Sequence, residues 1–113
     1  MQISQYLLAT LAALLLLLAE PASALVRDAH RLGAFAGAMK YCAERYDEKE
    51  GRYGWARLRV AREVDGMSGS NKLRALTARD FAYQRGAFLG NRLDRGECRA
   101  LLRMSEWKRF YRD

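Results

Sequence analysis

The stretch from Leu32 to Tyr46, reading LGAFAGAMKYCAERY, constrains the fold more than any other part of this chain. Leu32, Phe35, Met39, Cys42 and Tyr46 recur at steps of three and four, so an α-helix places all five on one face. A face of that kind has to be buried, which makes the segment a core helix and puts the first of two cysteines on it. No stretch shows sustained alternation of β-branched residues, so no sheet is expected. The predicted fold class is all-α: a small bundle of about four helices stapled by one disulfide.

Upstream, Tyr6 to Ala19 is a leucine-rich apolar run, followed by Glu20, Pro21 and the small-residue triplet Ala22-Ser23-Ala24. This is the pattern of a secretory leader cut after Ala24, although Met1 to Gln5 carries no Lys or Arg. The run is also shorter than the roughly 20 apolar residues that cross a bilayer, so no integral membrane span is expected. Residues 1–24 are read as signal peptide and 25–113 as a single helical domain, exported to a bacterial periplasm or secreted. Of 113 residues, 113 − 24 = 89 then remain. A chain of that size buries only about 60–65% of its unfolded surface, so staples matter. In an oxidising compartment two cysteines read as one bond, Cys42 to Cys98. Closing a loop of 98 − 42 = 56 residues stabilises a fold by roughly 4 kcal/mol in the chain-entropy picture.

The leader carries Glu20 and no basic residue, so the exported chain keeps 20 basic against 13 − 1 = 12 acidic side chains, a formal charge of +8. In an exported protein such charge suits anionic headgroups, wall polymer or an acidic protein better than nucleic acid, which is not an expected partner. The arginines are spread over several helix faces among Glu and Asp, as on a solvated basic surface.

Along the chain, Asp47 to Gly54 reads as a polar loop and Trp55 to about Val64 as a second helix, with Trp55, Leu58, Ala61 and Val64 at steps of three. Asp65 to Asn71 holds two glycines and reads as a turn-rich connection. A third helix is expected from Lys72 to about Leu93, with Leu73, Phe81 and Phe88 on one face. Gly33 and Gly37, like Gly86 and Gly90, are four apart and permit close helix approach. Asp94 and Glu97 have capping-box spacing at the start of a fourth helix bearing Cys98, and Ser105 is positioned to cap a short terminal helix with Trp107 and Phe110 or Tyr111 packing down.

Catalytic chemistry is thin. His30 is the only histidine and is expected in a frayed N-terminal segment, while both cysteines are engaged in the predicted disulfide. Asp47, Glu48 and Glu50 sit on a polar loop, and Glu63, Asp65 and Asp80 offer only the carboxylate pairs that any small helical domain offers. No phosphate-cradling glycine loop is present. The chain is therefore read as a non-enzyme, with no catalytic residue, metal site or cofactor, acting by protein binding.

Around the cysteines, Met39-Lys40-Tyr41-Cys42-Ala43-Glu44-Arg45-Tyr46 and Cys98-Arg99-Ala100-Leu101-Leu102-Arg103-Met104-Ser105-Glu106-Trp107-Lys108, together with the leader, make the chain resemble a family. It resembles the small periplasmic immunity proteins that block peptidoglycan amidase effectors of type VI secretion. The resemblance implies an all-helical, disulfide-bonded fold, a homodimer, and a partner that is a peptidoglycan amidase or other wall hydrolase whose cleft is plugged. The segment from Gly51 to Asn91 departs from the family in being strongly basic. The residues expected to bind the partner are Trp55, Arg57, Met67, Ser68, Ser70, Asn71 and Lys72, an exposed aromatic and a glycine-rich connection suited to entering a cleft. Two other classes compatible with leader, size and charge are a periplasmic acid-stress chaperone and a basic envelope or membrane-surface binding protein.

Overall fold

A computed structural model of the chain describes residues 28–46 and 51–111. The predicted leader and the acidic loop residues Asp47, Glu48 and Glu50 lie outside the described residues. The described part is mostly helical: α1 (28–45), α2 (Arg52–Asp65), α3 (Gly69–Arg85), α4 (Arg95–Leu101), a 3-10 turn (Ser105–Trp107) and α5 (Lys108–Tyr111). Among the described residues there are five α-helices, the expected bundle of about four longer segments being completed by the short terminal helix that was also expected.

Helix α1 is the centre. Leu32, Phe35, Met39 and Cys42 are buried as their spacing predicts, and Ala29, Ala34, Ala36 and Ala38 are buried as well. A helix buried on nearly every side is a core helix, wrapped by the others rather than laid on their surface. Cys42 is bonded to Cys98 across 56 residues, which fastens α1 to α4. The Trp107 ring stacks on Phe35 at 4.3 Å between centroids, with Phe88 edge-on and Phe110 tilted beside it. The C-terminal turns are thereby pinned to α1. Arg31 pairs with Glu106 at 2.6 Å, Arg109 with Glu63 at 2.8 Å, and Arg59 donates to the Phe110 carbonyl at 3.2 Å.

Helix α2 starts earlier than expected, at Arg52, and its inward stripe is Tyr53, Ala56, Val60 and Val64. The predicted stripe shares only Val64 with it. Trp55 and Leu58 stand 58% and 60% exposed. Steps of three drift around a helix of 3.6 residues per turn, whereas 53, 56, 60 and 64 stay on one side.

Helix α3 corrects the expectation at both ends. It begins at Gly69, so the connection shrinks to Gly66–Ser68, and it stops at Arg85 because Gly86 takes a left-handed conformation (φ 60°) as its C-cap. The residues expected to continue it form a two-stranded antiparallel hairpin, Ala87–Phe88 against Asn91–Arg92, closed by the Leu93 amide donating to the Gly86 carbonyl at 2.8 Å. A hairpin so short carries no alternating pattern, and so the expectation of no strand fails there. Gly86 lies against the Tyr41 ring, where an added Cβ would come within 2.7 Å of ring carbons.

Asp94 caps α4 as predicted, its side chain accepting from the Glu97 amide at 2.8 Å. Ser105 does not cap the terminal helix: it is the first residue of the 3-10 turn, whose N-cap position is Met104. His30, expected in a frayed segment, lies within α1 with its side chain exposed.

Candidate binding surfaces

Among the described residues, α2 and α3 each leave an apolar surface open, and both follow from how these helices seat on the core. Gly33 and Gly37 of α1 meet α3 directly. A Cβ on Gly33 would lie 1.9 Å from the Ala75 carbonyl oxygen, and one on Gly37 2.1 Å from that of Arg79. The two helices run parallel and approach so closely that the side chains α3 buries fully are Ala75, Ala78 and Ala82, with Leu76 half-buried beside them. Leu73 and Phe81, predicted to face the core, are pushed outward and stand 66% and 58% exposed.

The first surface lies on α2. Trp55 and Leu58 are one turn apart, and with Arg59, Ala61, Arg62 and Asp65 they line a shallow depression of about 410 Å³. The Arg59 guanidinium lies over the Trp55 ring, 5.7 Å from its centroid. Of the other predicted partner-binding residues, Arg57 is exposed but belongs to a different depression, of about 250 Å³, bounded by Lys40, Val64, Leu76 and Arg79. Met67 is half-buried against the core. Ser68 is the exposed N-cap of α3 with no side-chain capping bond, and Ser70, Asn71 and Lys72 form the first turn of that helix instead of a loop. The structure therefore distributes the predicted set over the outer face of α2 and the α2–α3 corner.

The second surface was not anticipated. It is a groove of about 720 Å³ between α1, α3 and the hairpin. Ala34, Ala78 and Ala82 form its buried floor, and Leu73, Phe81 and Leu89 its exposed walls. Arg74, Arg85 and His30 supply its polar side chains together with Thr77, whose hydroxyl donates to the Leu73 carbonyl at 2.8 Å. The Arg85 guanidinium lies over the Phe81 ring, 4.6 Å from its centroid. Leu73, Thr77 and Phe81 are spaced four apart, a signal visible in the sequence but assigned there to the core.

Near the far end of α3, Tyr83 donates a 2.5 Å hydrogen bond to Glu44 on α1, while Lys40 sits 4.1 Å from the centre of its ring. The hydrogen bond to Glu44 is the main reason the Tyr83 hydroxyl titrates above its ordinary range.

Among the described residues no group of three or more His, Cys, Asp or Glu side chains is placed to hold a metal, and no helix is long and apolar enough to cross a membrane. Glu63 is paired with Arg109, and Asp80 with Arg79 at 3.0 Å. No protein-family model matches the chain, and no curated protein or solved structure is similar to it.

Proposed function

We propose that the chain is an exported helical binding protein that inhibits a cell-wall hydrolase in the manner of an immunity protein, acting in the periplasm after its leader is cut. The observation that carries this reading is the Trp55–Leu58 pair, one turn apart and more than half exposed on a scaffold tied together by the Cys42–Cys98 bond. Tryptophan and arginine are the side chains that most often anchor protein interfaces, and here Arg59 and Arg62 flank the apolar pair. A rigid support matters because an inhibitor that is already ordered loses less entropy on binding.

The test is a pull-down with the protein purified from the periplasmic fraction, disulfide formed, against periplasmic extract and the products of neighbouring genes. Recovery of one stoichiometric wall hydrolase that loses activity on binding establishes the reading. Recovery of many unrelated proteins only at acid pH would replace it with a chaperone, and recovery of lipid or wall fragments only at low salt would replace it with an envelope binder.

A further inference from the structure

We propose that the groove between α1, α3 and the hairpin binds a single-chain anionic amphiphile, an acyl chain with a carboxylate or phosphate head. Its size fits. At about 720 Å³ it falls within the range of small-molecule sites, and its lining is mostly apolar with few polar groups, as in such sites. Leu73 and Arg85 stand 85 − 73 = 12 positions apart on α3, about 18 Å at the helical rise, and one leaflet of bilayer hydrocarbon is about 15 Å deep.

Its charge fits as well. Arg74 and Arg85 line the groove, and among the described residues no Asp or Glu does. The Arg85 guanidinium is engaged over the Phe81 ring, which leaves Arg74 as the seat of the anionic head. A second copy of this chain would bring the same arginines into a two-fold contact, so the groove is a poor site for self-association.

The hairpin adds an independent sign. Its two turn residues, Leu89 and Gly90, both have positive φ (48° and 91°). Glycine or asparagine is the ordinary choice at such positions, and a leucine there is strained. The chain nevertheless holds Leu89 in place, 43% exposed, as one wall of the groove. Strain retained beside an apolar groove is what a ligand contact would explain.

The experiment uses protein from the periplasmic fraction, stripped of lipid, titrated calorimetrically with palmitate below its micelle concentration and with hexadecanol, which has the same chain but no charge. Palmitate is expected to saturate at one per chain and to bind roughly tenfold or more tightly than hexadecanol. Phe81→Asp should weaken palmitate roughly tenfold or more. Arg74→Gln should weaken palmitate and leave hexadecanol unchanged. Leu89→Asn is the sharpest variant, because asparagine relaxes the turn while removing the wall: Tm should hold or rise while palmitate affinity falls. Equal binding of palmitate and hexadecanol, binding indifferent to Phe81→Asp and Leu89→Asn, or a dimer that Phe81→Asp disperses would each overturn the proposal. Trp55 lies outside the groove, so Trp55→Ala should leave palmitate binding intact, and failure of this proposal would be distinguishable from failure of the inhibitor reading.

Discussion

Helix α2 buries Tyr53, Val60 and Val64 in the core, whereas the side chains that α3 buries fully are all alanines, Ala75, Ala78 and Ala82. Both helices also carry large apolar side chains that stay outside, Trp55 and Leu58 on α2, Leu73 and Phe81 on α3. The difference originates in α1. Against α3 it presents Gly33 and Gly37, and the two backbones close until a Cβ would meet a carbonyl oxygen. Where Gly33 and Gly37 meet α3, no room is left for a large side chain. What a neighbour lacks in side chains therefore decides which side of a helix is inside, and the large residues displaced by a close contact become an open surface.

The largest effect is expected from releasing α1 itself. If the Cys42–Cys98 bond fixes the common wall on which both helices seat, replacing both cysteines with serine should cost roughly 4 kcal/mol, and chemical denaturation would read it. A loss well below 1 kcal/mol would mean that packing alone holds α1, and the asymmetry between the two helices would then be independent of the staple.

A sharper test takes one glycine from each side of the comparison. Gly33→Ala forces a Cβ against the backbone of Ala75, atoms that cannot yield as a flexible side chain can, and should cost roughly 3 kcal/mol, the upper end of overpacking. That outweighs the gain of about 1 kcal/mol that alanine brings to a helix interior. Gly54→Ala in α2 meets nothing within 4 Å, so the propensity gain should stand alone and raise the thermal midpoint. Equal effects at both sites would refute the close α1–α3 seam.

The seam also explains what could be read from the sequence. The α1 stripe, the disulfide and the Asp94 cap were legible because each depends on local spacing or on the cysteine count. The third helix and the groove were not: Leu73, Phe81 and Phe88 form a plausible core stripe until Gly33 and Gly37 are known to face α3. Those glycines carry a close-packing signal, but their spacing does not name the helix that meets them, and Gly86 and Gly90, spaced in the same way, are instead the helix cap and part of the hairpin turn. For α2 the residues themselves held the answer, since Tyr53, Ala56, Val60 and Val64 keep a truer helical period than the steps of three from Trp55. Tyr53 is masked in the sequence because it stands between Gly51 and Gly54 in a segment with the composition of a loop.

On the open side of α2, Trp55→Ala should separate binding from folding. Surface substitutions of this kind change stability by within about 0.5 kcal/mol, whereas loss of an interface anchor costs about 2 kcal/mol, roughly thirtyfold in affinity. On the inhibitor reading, the expected result is an unchanged thermal midpoint with an inhibition constant raised about thirtyfold. A normal constant would move the partner surface away from α2.

The smallest effect belongs to the tie between α1 and the far end of α3. The Tyr83 hydroxyl donates to Glu44, and that bond raises its pKa above the unfolded value. Its contribution to stability is therefore fully present below a pH of about 10 and is lost as pH rises through the higher folded value. Tyr83→Phe keeps the ring on which Lys40 rests and removes only the hydroxyl, so the difference between the two proteins isolates this bond from the lysine's own titration. Thermal midpoints measured from neutral to strongly alkaline pH should show Tyr83→Phe slightly below the parent at neutral pH, with the gap closing as the tyrosine ionises. A gap that stays constant across that range would show that the hydroxyl acts through packing at the seam's end and that its bond to Glu44 contributes nothing.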